Sequence, residues 1–143
     1  MTRPAWIREV REWVGTPFRW QGRIKQDGTD CWGLIVGAGH NCGYFPEGWD
    51  VRVYSRRTDL VAMGNEVLPR FFDKVAPSEI QAGDIVTWHR GAGIMHMGVL
   101  YDHCDSGLGL VHSEDWQRIV EHGLSAEHRQ MITDAWRPRY TGT

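Results

Sequence analysis

The sequence predicts a single α+β domain over residues 1–143, with N-terminal helices packed on a C-terminal antiparallel β-sheet. Two observations carry this expectation. Apolar residues in the first half recur at helical spacing, whereas the second half is a succession of short β-rich runs separated by Gly, Asp and Ser turns. The length of 143 residues fits one domain. A chain near this size buries roughly 68–70% of its unfolded surface, enough for a core without covalent staples.

Taken in order, residues 4–14 read as an amphipathic helix. Pro4 suits its first turn, Trp6, Val10, Trp13 and Val14 share a face, and Gly15 fits the stop. A Gly- and Gln-containing loop leads to Thr29 and Asp30. The apolar run from Cys31 to Gly39 fits a buried helix or a strand, and Asp30 as N-cap tips it towards helix. Gly33 and Gly37 inside the run allow close approach of another backbone. Residues 40–57 read as a loop, and helical periodicity returns from Thr58, as cap, to about Phe72, with Pro69 ending or kinking it. The expected strands are Asp84–Trp88, Ile94–Tyr101, Leu108–His112, Ile119–His122 and Met131–Trp136, joined as an antiparallel meander.

Composition narrows the function classes. With 41% apolar and 24% charged residues the chain is globular rather than disordered. Sixteen basic against 18 acidic residues leave a net charge of -2, which gives no reason to expect a nucleic-acid partner or an anionic membrane. No apolar run approaches the ~18 residues of a span, so no membrane insertion is expected. The charged start, Met1 to Arg11, lacks an apolar signal core, so synthesis in the cytoplasm is expected. Three cysteines cannot all pair internally, and at least one thiol is left with a role to find.

Cys31 is the first candidate. Behind an Asp30 cap it occupies the first turn of a helix, where unpaired N–H groups and the dipole favour a thiolate and a developing oxyanion. The alternative is a small buried hydrophobe. A thiol nucleophile needs a base, and His96 stands out in an otherwise apolar strand, where burial demands a partner. A hairpin turning symmetrically about Cys104 sets His96 directly opposite His112, a base beside an orienting residue; a one-residue slip puts them on opposite faces. His89, His103, Cys104 and Asp105 fall at hairpin ends and read as turn residues. No C-x-x-C or H-E-x-x-H spacing is present, so no metal site is expected. Trp6 and Trp13 suit the core, while Trp20 and Trp32 suit either the core or the walls of a cleft.

These residues resemble a known family. Gly15-Thr-Pro-Phe-Arg-Trp-Gln-Gly22 and Gly28-Thr-Asp-Cys-Trp-Gly-Leu34 are similar to the N-terminal signature of the NlpC/P60 cysteine peptidases. Gly83-Asp84-Ile-Val-Thr-Trp88, Ile94-Met-His96-Met-Gly98-Val-Leu-Tyr101 and Val111-His112-Ser113 resemble the family's later strands, in the same order. The resemblance implies a papain-like α+β fold and a triad of Cys31 as nucleophile, His96 as general base and acid, and His112 as the residue orienting His96. It implies amide hydrolysis through an acyl-enzyme without metal or cofactor. The implied substrate is a peptidoglycan stem peptide, commonly cut between γ-D-glutamate and a diamino acid.

Trp32, where many relatives have Ser, and the Trp-rich chain resemble the short phage and gene-transfer-agent tail peptidases. That subgroup implies a tail hub or baseplate partner and action at the cell wall as part of a virion-like particle. A structural tail module with a vestigial triad, and an amidase or acyltransferase of the same fold, are the alternatives. Phe18 stands where the family usually has Tyr, removing a hydroxyl near the site, and Gln21 replaces the first Gly of a usual pair. With Trp20, Trp32 and Phe18 as substrate-binding candidates, Asp30 either contacts a substrate amine or serves purely as a cap.

Overall fold

The computed structural model describes residues 1–142 other than 56, 90, 92, 105, 106, 115 and 116, and residue 114 by its backbone alone. Helix α1 (Arg3–Arg11) is capped by the Thr2 hydroxyl, which accepts from the Ala5 N–H at 3.3 Å. It buries Trp6 and Val10, and the Trp6 indole N–H donates to the Gly83 carbonyl across the core at 2.9 Å. The helix is shorter than its periodicity suggests. From Trp13 onward the bonds tighten to the i−3 carbonyl, and Gly15 (φ +92°) turns the chain so that its N–H reaches Ile119 O at 2.8 Å. Trp13 is buried all the same, just beyond the last turn.

A small ribbon follows, β1 (Arg23–Ile24) against β2 (Gly28–Thr29), leading into α2 (Cys31–Asn41). Asp30 is its N-cap, as expected, accepting from the Gly33 N–H at 2.8 Å. The internal glycines carry out the close approach expected of them: a Cβ on Gly33 would run into the Gly22 carbonyl, and one on Gly37 into the Trp13 ring. Helix α3 (Leu60–Phe71) is capped by Asp59, not Thr58. Asp59 accepts from the Ala62 N–H at 3.0 Å, while the Thr58 hydroxyl accepts from the Ser55 N–H instead. Pro69 lies in the last turn and the helix ends two residues later, passing directly into β3 (Phe72–Val75).

The main sheet is completed by β4 (Ile85–His89), β5 (Met95–His103), β6 (Gly107–Glu114), β7 (Arg118–Gly123) and β8 (Asp134–Pro138). Its order is β3-β8-β4-β5-β6-β7, antiparallel throughout. Strands β4 to β7 form the expected meander, but β8 returns to lie between β3 and β4. The run from Met131 to Trp136 is not one strand. Met131 closes a short helix, α4 (Ala126–Met131), capped by Ser125, and the strand begins at Asp134. Asp84 at the entry to β4 is fully buried and pairs with the Arg137 guanidinium through two bonds of 2.9 and 3.0 Å, which clamps β8 beside β4.

The β5–β6 hairpin also corrects the expected register. Its pairing runs from His103↔Gly107 to Gly98↔His112, so the turn centres on residue 105 rather than Cys104. His112 therefore faces Gly98 and lies one diagonal step from His96. Moving a turn centre by one residue moves each partner by two, which keeps both histidines on one face. His89, His103 and Cys104 are exposed, as turn residues should be, and Asp105 lies outside the described residues.

Apolar side chains separate onto the two faces of the sheet. Met95, Met97, Val99 and Val111 pack with the helices around Trp6, Trp13, Trp32 and Leu34. Val86, Trp88, Leu100 and Leu110 form the opposite layer with Ile132 and Ala135. No helix among the described residues is long and apolar enough to cross a membrane.

Candidate active site

Cys31 is the first residue of α2 and lies in the wall of a cavity of about 780 Å³ that His96 also lines. The cavity is where four parts of the chain meet. Phe18 and Trp20 come from the segment that bridges β2 and β7, through Phe18↔Thr29 and Pro17↔Arg118. Asp30, Cys31 and Trp32 come from the start of α2, Tyr54, Arg57, Thr58 and Asp59 from the loop before α3, Leu60 from its first turn, and Met95, His96 and Ser113 from the sheet. Cys31 and His96 of the expected triad and all four expected substrate-binding residues thus share one concave surface, which His112 does not line. Trp32 is 1% exposed, so it is both a core residue and a wall, while Trp20 and Phe18 are half-buried with rings 6.4 Å apart.

The surroundings of the Cys31 sulfur oppose one another. Burial, followed by the nearby Asp30 carboxylate, pushes its pKa up to about 12, while the backbone N–H groups of Trp32, Met97 and Cys31 itself pull it down by hydrogen bonding. Helix position alone suggests a lowered pKa; here the loss of water outweighs the dipole and the N–H groups. β5 and β6 stop pairing at Gly98↔His112, and Met97, just beyond and next to His96, is among the backbone groups that lower the Cys31 pKa.

Asp30 is 3% exposed, and protein donors occupy both of its oxygens. Oδ1 caps α2 and accepts from Arg23 at 3.3 Å; Oδ2 accepts from the Gln21 N–H at 2.8 Å and the Tyr54 hydroxyl at 2.5 Å. Of the two roles weighed from sequence, the structure displays that of a cap and organiser. Gln21 makes its bond with φ at +60°, a left-handed conformation that explains why glycine suits this position.

His96 and His112 are held by a residue the sequence left unassigned. Trp88, paired with His96 across β4–β5, stacks on the His96 ring at 5.8 Å and meets the His112 ring edge-on at 5.7 Å. It closes the Gly83–Trp88 segment, so the motif held the signal. Tyr54 had none, since it lies in a loop without periodicity; it is buried, packs edge-on against Trp20 at 5.5 Å and brings a phenol to a site where Phe18 lacks one. His112 is buried, and its Nε2 lies 2.8 Å from Nε2 of His122. All three cysteines are free thiols; Cys104 is exposed and Cys42 packs towards Ala5 O, both away from this cavity.

A cysteine at the start of a helix, set against an antiparallel sheet that brings a histidine to the same cavity, defines the α+β domain. The sequence profile of the NlpC/P60 family matches residues 15–143, and the chain belongs to that family. The fold is similar to the NlpC/p60 domain of the peptidoglycan hydrolase SagA, with a TM-score of 0.63 and 17% identity over 95% of this chain and 98% of that one. It is also similar to a lipoprotein-like NLP/P60 protein of Staphylococcus aureus, with a TM-score of 0.63 and 17% identity. That likeness covers 97% of this chain and 42% of the other. Ly7917, solved with the hydrolyzing product of MDP, matches with a TM-score of 0.63 and 16% identity, over 96% of this chain and 63% of that one. No curated protein matches the sequence.

Proposed function

We propose that this domain is a cysteine endopeptidase that hydrolyses an amide bond in peptidoglycan stem peptides, the bond between γ-D-glutamate and a diamino acid. Membership of a family of cell-wall hydrolases supports the substrate class. The observation that carries the chemistry is the meeting of Cys31 and His96 in one cavity, with Cys31 at the first position of α2.

In this reading the resting thiol is protonated, and His96 takes its proton as the sulfur attacks the amide carbon. The N–H groups at the start of α2 face the oxygen that gains charge. His96 then protonates the departing amine, leaving a thioester, and accepts a proton from the water that releases the acid. His112 orients His96, and Trp88 holds both rings. The cavity suits a zwitterionic peptide: Arg57 and Asp59 line it with opposite charge for the substrate's carboxylate and amine, against walls of Phe18, Trp20 and Trp32. The proposed setting is a phage-like tail that carries the domain to the wall, bound to a hub or baseplate protein; the resemblance of the Trp-rich Cys31 segment to tail peptidases supports it.

Mass spectrometry of muropeptides incubated with wild type and with Cys31→Ala tests the reaction. Expected are two fragments whose masses together equal the substrate plus one water, made by wild type only. Intact stems with wild type would leave a structural tail module as the better account. Transfer to an added amine in place of water would identify an acyltransferase. Tail particles that lack the protein after purification would remove the proposed setting.

A further inference from the structure

We propose that His112, His122 and His128 form a binding site for a zinc-class divalent metal ion on the sheet face covered by α4. The three come from different elements. His112 lies on β6, His122 on β7, and His128 on α4. In the β6–β7 ladder His112 faces Val120 and Leu110 faces His122, so the two histidines are diagonal neighbours on the same face. Their ring centroids form a tight triangle, at 5.0, 5.1 and 5.9 Å. One donor nitrogen from each lies within 4.8 Å of the other two.

The second contacts of the rings suit ligation. His122 Nδ1 lies 2.9 Å from the Gly123 carbonyl, which only accepts, so Nδ1 carries the proton and Nε2 of the neutral ring carries the lone pair. His128 Nδ1 is held by the Ser125 hydroxyl at 2.9 Å, leaving Nε2 for a ligand. An imidazole anchored through one nitrogen by a carbonyl or hydroxyl, and open at the other, is the usual state of a metal-bound histidine. Two nitrogens bound at ~2.1 Å in tetrahedral geometry stand about 3.4 Å apart. The half-exposed His122 and His128 can rotate to that spacing around the buried His112. Three neutral imidazoles with a fourth position open to water select zinc, cobalt or copper over calcium or magnesium.

Occupation would change His112. Without metal, His112 Nε2 must donate its proton to the His122 lone pair 2.8 Å away, which leaves Nδ1 as an acceptor. Metal at Nε2 moves that proton to Nδ1 with no net release, and the acceptor becomes a donor. Resting on the proposed triad, zinc then ties the His112 ring to His122 and His128, restricts it as the residue that orients His96, and slows hydrolysis.

The test uses the full chain, stripped with a chelator and titrated with cobalt(II). Expected is the visible absorption of four-coordinate cobalt at one ion per chain, abolished by equimolar zinc, with affinity falling at least about tenfold in His122→Ala and in His128→Ala. Because His122 touches the buried His112, His128→Gln on the exposed short helix serves as a second variant, with circular dichroism as the check on folding. Absence of that absorption, or wild-type affinity in folded His128 variants, would overturn the site. Zinc that binds without slowing turnover would overturn its effect on His112. Binding is read by absorbance, so a chain that proved to have no hydrolase activity would still report on the site.

Discussion

His112 stands across the sheet from Gly98, and the missing side chain of that glycine leaves the space over which His112 lies. A Cβ at Gly98 would sit 3.0 Å from the His112 Cβ, 2.8 Å from the Val111 carbonyl oxygen and 2.7 Å from a Leu110 methyl. The backbone oxygen cannot yield cheaply. Gly98→Ala is therefore expected to destabilise the domain by roughly 1–3 kcal/mol, as overpacked cores do, measured by urea denaturation. It should also displace His112 and lower kcat on muropeptides beyond what the folded fraction explains. Unchanged stability and turnover would mean that the hairpin tolerates a different register.

The half-buried Cys31 thiol ties stability to pH. Its folded pKa is raised to about 12, against about 8.5 for a thiol in the unfolded chain. The unfolded state thus loses its proton first as pH rises. The stabilising contribution is whole below about pH 8.5 and is lost progressively towards pH 12. Tyrosines also titrate in this range, so the difference between wild type and Cys31→Ala isolates the cysteine. Wild type should lose stability faster than the variant between pH 9 and 11. The exposed Cys104 should react with iodoacetamide before Cys31 at pH 8, and faster alkylation of Cys31 would show a thiolate already formed.

Asp30 joins four donors from four parts of the site, so its removal should cost more than a helix cap alone. Asp30→Ala loses the cap and leaves Arg23, Gln21 N–H and the Tyr54 hydroxyl without their acceptor. The expected loss is roughly 2–4 kcal/mol by thermal or urea unfolding. Asp30→Asn keeps an acceptor for Gly33 and should lose about half as much. Tyr54→Phe removes a single bond and is expected to cost about 1 kcal/mol. A Tyr54→Phe loss equal to that of Asp30→Ala would show that the phenol, not the cap, organises the cavity.

How much of this could be read from sequence varied with the range of the interaction. The Asp30 cap and the α2 helix are local, and each follows from residues within a few positions; Gly33 and Gly37 signal a close approach but not its distant partners, Gly22 and Trp13. The parity of His96 and His112 also survived, because alternation along a strand tolerates a shift of two. The register itself did not, since the turn residues around Cys104 are compatible with more than one centre. The return of β8 between β3 and β4 depends on the buried Asp84–Arg137 pair, 53 residues apart, which no periodicity reveals. The same holds for Tyr54 and for the histidine triangle, which unites three elements with none of the spacings that mark a metal motif. The helix start that favours a Cys31 thiolate is visible in sequence, whereas the loss of water that raises its pKa depends on residues brought together only by the fold.

Trp88 offers the sharpest separation of positioning from folding. It is 4% exposed, stacks nearly parallel to His96 at 16°, and touches His112 edge-on. It touches the rings that act in the proposed reaction but lies outside the residues that line the cavity. Loss of its ring should therefore loosen the imidazoles without altering the walls that grip a stem peptide. Trp88→Leu is expected to lower kcat by about tenfold, roughly the 1.4 kcal/mol scale of a lost aromatic contact, with KM nearly unchanged. Trp88→Phe retains a flat face against His96 and should recover much of the rate. A merely structural tryptophan would give another pattern: both variants would lose active fraction in proportion to stability, and the folded enzyme would keep its kcat.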